Sequence, residues 1–207
     1  DIPIYVMDPD VSQSMRTIDA GIPESLILDP ESDDLLTIQE SILLEQRDSF
    51  LAMRDKTENI VVFSDLENVY QLNSYGVLEY KYLPAEQKTD LIDAKSSFIH
   101  ALSFIELRKS LVGDADIMLK DIKQEGHTFV FTFGYRAAGL DIYISDVENN
   151  NYLSAPAIRI KASAERVLEC TWVVREFNTN LDSRDYSMSF IDTVSYTNLT
   201  LPTSDPV

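Results

Sequence analysis

The chain has 207 residues, a formal net charge of −18 and 44% hydrophobic residues, among them nine Phe and ten Tyr. That apolar content is enough for a packed core and argues against disorder in spite of the charge. The acidity argues against sequence-independent nucleic-acid binding and against adsorption to anionic lipid, both of which reward clustered Lys and Arg.

The chain opens on Asp1-Ile2-Pro3-Ile4-Tyr5-Val6, which reads as a strand entered midway, without Met and without a signal peptide. No run approaches the roughly 20 apolar residues of a membrane helix. Asp8-Pro9-Asp10 starts an expected short helix from about Val11 to Ile18, ended by Gly21 and Pro23. Asp29-Pro30-Glu31-Ser32-Asp33 is a turn and helix-start cluster. From about Asp34 to Lys56, Leu36, Leu43 and Phe50 stand at heptad spacing with Leu35, Ile42 and Met53 alongside, which predicts an amphipathic helix of several turns.

The period then changes to two. Ile60–Phe63 and Asn68–Leu72 read as strands, and a turn at Asn73-Ser74-Tyr75-Gly76 leads into a third, Val77–Tyr82, closed by Pro84. A second long helix is expected over about Ala85 to Leu111. Leu91, Phe98, Leu102 and Ile105 form its apolar stripe, Asp93, Ser96, His100 and Ser103 lie opposite, and Gly113 stops it. The remainder reads as an antiparallel meander with strands at Ile117–Ile122, Thr128–Arg136, Leu140–Ser145, Ala157–Ala162 and Val167–Phe177. Turns fall at Gly126, Ala138-Gly139 and Glu148–Asn151. Phe129, Phe131, Phe133 and Tyr135 share one strand face.

Helix followed by neighbouring strands defines the α+β class: an antiparallel meander covered on one face by a long amphipathic helix, preceded by a partly helical segment. The expected divisions are 1–58 as the end of a preceding region, 59–192 as the main domain and 193–207 as a non-native tail. A parallel dinucleotide-binding sheet is excluded because strands and helices do not alternate.

Chemistry-bearing patterns are scarce. His100 and His127 have no metal-ligating neighbours at helical spacing, and the one cysteine, Cys170, alternates with core residues and allows no internal disulfide. None of the short catalytic or phosphate-binding motifs occurs, and Gly134–Gly139 reads as a hairpin turn. The acid pairs Asp33-Asp34, Asp114 with Asp116, and Asp182 with Asp185 read as solvated faces, while Asp29–Asp34 lacks the alternation and closing Glu of a calcium loop. Neither a catalytic residue nor a metal or cofactor ligand is assigned. Tyr75, Tyr80, Tyr82, Tyr135 and Tyr143 lie in or near strands, either as an aromatic binding face or as ordinary strand formers.

Four segments together resemble the YycH family of regulators of the YycFG (WalRK) two-component system, with YycI-like proteins the nearest confusion. They are Phe63-Ser64-Asp65 with Gly76-Val77-Leu78-Glu79-Tyr80; Ala101-Leu102-Ser103-Phe104-Ile105; Phe131–Arg136 with Gly139–Tyr143; and the strand Arg166–Phe177. The match runs from roughly Asn59 to Asp192. Asp141 stands where the family pattern has proline, and Leu111-Val112-Gly113 replaces a more glycine-rich helix end. The resemblance implies a non-enzymatic accessory protein on the extracellular face of the cell membrane, held there by an N-terminal helix. It acts on a sensor histidine kinase controlling cell-wall metabolism in Gram-positive bacteria, beside a sister regulator. The Tyr-bearing sheet or the helix near Phe98 is then the expected docking face. Two other classes remain open: an exported binding or inhibitor module similar to PepSY domains, and a carboxylate-dependent hydrolase. The last residues, Val194–Val207, resemble a translated sequencing adapter, which makes Asp192 the expected last native residue.

Overall fold

The computed structural model describes residues 18–29, 31, 34–84, 91–137, 139–142, 144–145 and 154–179. Strand β1 (Ile18–Gly21) leads through a 3-10 turn (Glu24–Leu26) to helix α1 (Leu36–Leu43), a 3-10 stretch (Leu44–Ser49) and β2 (Leu51–Asp55). Strands β3 (Ile60–Ser64), β4 (Asn68–Asn73) and β5 (Val77–Tyr82) follow. Helix α2 (Ala94–Glu106) and a 3-10 turn (Lys109–Val112) carry the chain to β6 (Asp116–Glu125), β7 (Thr128–Ala137) and β8 (Leu140–Ile142). Two short strands, β9 (Ile144–Ser145) and β10 (Ser154–Ala155), pair with each other, and β11 (Ile158–Ala162), β12 (Val167–Val173) and β13 (Glu176–Thr179) complete the order.

The main sheet runs β2-β3-β4-β5-β12-β11-β7-β6, with β8 on the end of β7, and every pairing in it is antiparallel. It is two meanders joined at β5 and β12. The class is α+β, with a mostly antiparallel sheet and, among the described residues, two α-helices. All described residues belong to one compact unit, Ile18–Thr179.

Register explains the core. Val61, Leu72, Leu78, Trp172, Ile158 and Phe133 stand side by side across six strands, and Phe63, Tyr70, Tyr80, Cys170, Ile160 and Phe131 form the adjacent row. All twelve are buried. Side chains alternate between the faces of a strand, so the intervening residues, such as Gln71, Glu79, Thr171 and Arg159, belong to the other face. Each large side chain removed from water adds roughly 1.5–3 kcal/mol, which makes these rows the main favourable contribution.

Helix α2 packs on the apolar rows. Phe98 meets Phe131 with ring centroids 5.4 Å apart, and Phe104 meets Tyr80 at 5.3 Å. Its start is set by Asp93, which caps the helix by accepting from the Lys95 N–H and the Ser96 hydroxyl.

Several expectations need correction. The second helix is confined to Ala94–Glu106, so Leu91 precedes the cap and is 60% exposed instead of joining the stripe; residues 85–90 lie outside the described residues. The long helix expected over 34–56 stops at Leu43, where Leu44 turns to a φ of 58°. Residues 51–55 are strand β2, because Asp55 Oδ1 accepts from the Thr57 and Glu58 N–H groups and folds the chain back onto β3. Ile18 is not the end of a helix but the start of β1, paired with β13; residues 11–17 lie outside the described residues. The strand expected at 140–145 is two short ones, β8 on β7 and β9 on β10. The strand expected at 167–177 is also two: β12 leaves the main sheet after Val173, and β13 pairs with β1. The tail, Val194–Val207, and the turn at Glu148–Asn151 lie outside the described residues.

Gly113 holds a φ of 59°, and a Cβ there would lie 2.6 Å from the Phe177 carbonyl oxygen. Gly113→Ala is expected to lower stability by about 2 kcal/mol or more, read as a shift in the urea midpoint with unchanged m-value. Hydrogen bonds from the Ser96 hydroxyl and the neighbouring N–H groups hold the Asp93 carboxyl below the usual carboxylate range. A depressed folded-state pKa stabilises above the unfolded value of about 3.9 and is lost as pH falls through the folded value. Asp93→Asn is therefore expected to keep much of the neutral-pH melting temperature but flatten its decline on the acid side, whereas Asp93→Ala lowers it throughout.

Candidate functional site

The most unusual side chain is Arg108, which follows α2 and turns into the core, where it is 4% exposed. Its Nε donates to the Ile42 carbonyl at 2.9 Å, Nη1 to the Phe104 carbonyl at 3.1 Å and Nη2 to the Tyr70 hydroxyl at 3.2 Å. The guanidinium carbon also lies 4.1 Å from the centre of the Phe104 ring. Both carbonyls stand at helix C-terminal ends, where the peptide dipoles favour a cation. Burial pulls the Arg108 guanidinium below its usual range, with Tyr70 acting against that shift.

Tyr70, Tyr80 and Cys170 surround this charge. Burial raises the pKa of all three, so the phenols and the thiol stay protonated at neutral pH. A buried protonated thiol is a packing group, not a nucleophile. The Tyr80 hydroxyl donates to Asn68 Oδ1 at 2.9 Å, and the Asn68 amide donates to both Asp65 carboxylate oxygens at 3.1 Å. A second polar line runs from Trp172 Nε1 to the Tyr135 hydroxyl at 2.6 Å, and from that hydroxyl to the Val173 carbonyl at 2.9 Å. These bonds tie α1, α2 and the sheet together.

Two concavities open at the surface. A cleft of about 670 Å³ is lined by Glu24, Asp29, Asp34, Thr37, Arg54 and Glu176, among others. A trough of about 390 Å³ includes Gln71, Glu79, Lys81, Leu83, Glu169 and Thr171. In the cleft, Asp29 Oδ1 accepts from the Glu31 N–H at 2.9 Å and Asp34 Oδ1 from the Leu36 N–H at 3.0 Å, so these carboxylates cap local backbone. Arg54 Nη2 donates to the Asp29 carbonyl at 2.6 Å. Among the described residues, no group of three or more His, Cys, Asp or Glu is placed to hold a metal ion.

The structure disperses the residues singled out from sequence. His100 is half-buried on α2 and His127 is exposed in the turn between β6 and β7. Cys170 sits in the core row, and Asp114 and Asp116 are exposed on either side of Ala115. Asp33, Asp182, Asp185 and Tyr143 lie outside the described residues. Gly134 is inside β7, and the hairpin turn is carried by Gly139 with a φ of 81°. Among the described residues the singled-out tyrosines are dispersed: Tyr80 and Tyr135 are buried, Tyr82 is half-buried and stacked under Arg166, and Tyr75 is exposed at a turn. Tyr80 and Tyr135 point into the core and present no ring to a docking partner. Arg108 escapes the pattern reading, although its spacing of four from Phe104 puts it on the packed side of α2.

Comparison with known proteins finds no matching family model, no matching curated protein and no matching solved structure.

Arg108→Ala leaves the Ile42 and Phe104 carbonyls and the Tyr70 hydroxyl without their donor in a buried setting. It is expected to cost about 3 kcal/mol or more in urea unfolding, against about 1 kcal/mol for Tyr70→Phe, which removes one acceptor.

Proposed function

We propose that this chain is part of a non-enzymatic accessory protein that acts by protein–protein contact on a membrane sensor histidine kinase, beside a sister regulator, outside the cell. One observation carries the reading. The segments that resemble the YycH family are neighbours in space: Gly76–Tyr80 runs into β5, β5 pairs with β12, β12 with β11, and β11 with the Phe131–Phe133 part of β7. Segments far apart in the chain thus form one continuous stretch of sheet, as a shared fold requires. The finer architecture goes with this reading: a meander with one face under an amphipathic helix, supported by Phe98 against Phe131 and Phe104 against Tyr80.

In this reading the protein needs no reactive group, and its buried polar system serves to keep a contact surface rigid. Among the described residues no helix is long and apolar enough to cross a membrane; attachment through an N-terminal helix is what the resemblance implies. The test uses the full-length protein in its native membrane. Co-purification with the kinase, together with altered kinase output on deletion, is the expected result. Absence of association combined with unchanged output overturns the proposal.

A further inference from the structure

Helix α1 ends without a local stop signal. No glycine or proline occurs from Asp34 to Lys56, and Leu36, Leu43 and Phe50 keep heptad spacing across the point where the helix breaks. The break falls at Leu44, which holds a φ of 58° and a ψ of −127°. Almost the same angles, 59° and −127°, recur at Gly113, which has no Cβ to clash. A leucine in this conformation is strained, and such strain persists only where the surroundings over-determine it.

The surroundings grip the chain on both sides of that residue. Before it, the buried Ile42 offers its carbonyl to Arg108 Nε at 2.9 Å. A continuing α-helix would use the same carbonyl for the N–H four residues on, so Arg108 and helix growth compete for one acceptor. Beyond the 3-10 stretch, the buried Phe50 meets the Tyr70 ring edge-on, with centroids 5.7 Å apart. Tyr70 in turn accepts from Arg108 Nη2 at 3.2 Å. Strand β2 adds its pairing with β3 but little apolar burial, since Leu51 is 79% and Met53 67% exposed.

We infer that residues 44–55 are a two-state element built into the fold. In the closed state Leu44 is strained, β2 lies on β3 and the Arg108–Tyr70 pair holds the joint. In the open state Leu44 relaxes into helical angles, α1 grows through the 3-10 stretch, and β2 leaves β3. The heptad of Leu36, Leu43 and Phe50 then runs along one helix, which is the arrangement that the sequence favours locally. A partner that binds one state better than the other shifts the population between them. The inference goes beyond action by contact and does not depend on the partner being a kinase.

The test is native-state amide exchange on the purified protein, with carbon chemical shifts over residues 44–50 as the reading of helix. The β2 amides are expected to exchange through an opening that leaves the β5–β12 seam protected. Leu44→Gly relieves the closed joint and disfavours the continued helix, so it is expected to slow that exchange by about tenfold or more. Leu44→Ala keeps a Cβ and favours helix, and is expected to leave the exchange unchanged or faster. Arg108→Met, or the milder Tyr70→Phe combined with Leu44→Ala, is expected to move the shifts of residues 44–50 to helical values while the seam stays protected. Exchange of β2 only through global unfolding overturns the inference, as does Leu44→Gly leaving the rate unchanged. Release of β2 without helical shifts over 44–50 also overturns it, because that is fraying of a strand and not a second state. A failed kinase co-purification leaves these outcomes unchanged, and the two proposals fail separately.

Discussion

The pairing of β5 with β12 holds the architecture together. Leu78 against Trp172 and Tyr80 against Cys170 convert two local meanders into one sheet with continuous apolar rows. A slip of β12 by one residue at this seam would place Thr171 against the packed face and turn Trp172 outward, so register and core composition enforce each other. Beyond the seam, the Val174 N–H donates to the Gly76 carbonyl, and Arg175 Nη1 donates to the Tyr75 carbonyl at 2.9 Å, locking the turn before β5 onto the end of β12. The pairing is non-local, and α2 together with the whole meander from β6 must fold between its two strands.

Arg108 follows from the same constraint. The rows beside the seam are aromatic, and Tyr70, Tyr80 and Phe104 leave room for a planar cation whose donors reach the ends of both helices. A buried charge costs several kcal/mol in desolvation, so its contribution is orientation more than net stability. It fixes where α1 and α2 meet the sheet. The polar face behaves differently: Lys81, Glu169 and Lys161 stand side by side across β5, β12 and β11, and Glu125 reaches Lys161 at 3.6 Å. Opposite charges on neighbouring strands keep this face soluble without concentrating the acidity that the rest of the chain carries.

The sites were less legible than the fold. Cys170 could be placed in the core because its neighbours alternate, and burial in the Tyr80–Ile160 row agrees with that. Tyrosine was ambiguous, because a strand residue with a polar tip suits either a wet face or a buried hydrogen bond. Tyr135 takes the second role through Trp172, a partner 37 residues away. Arg108 had a signal only in its helical spacing, and arginine is so often solvated that the spacing alone does not announce burial. Strand β2 was hidden altogether, since residues 51–55 fell inside the helix expected over about 34–56, with Met53 alongside its apolar stripe.

By itself the sequence determined which stretches alternate and which residues share a face: Ile60–Tyr82, Thr128–Arg136 and Ile158–Val173 all carry their periodicity in adjacent residues. It also determined the α+β class, because that requires only the order of helical and alternating segments. Tertiary structure decided where α1 and α2 end, that residues 51–55 form a strand, and that the last long strand divides between two sheets. The reason is physical. Face periodicity is a local property of the backbone, whereas Leu-Ala-Met suits helix and strand alike until a neighbouring strand supplies the hydrogen bonds. Only the fold shows which partner each segment meets.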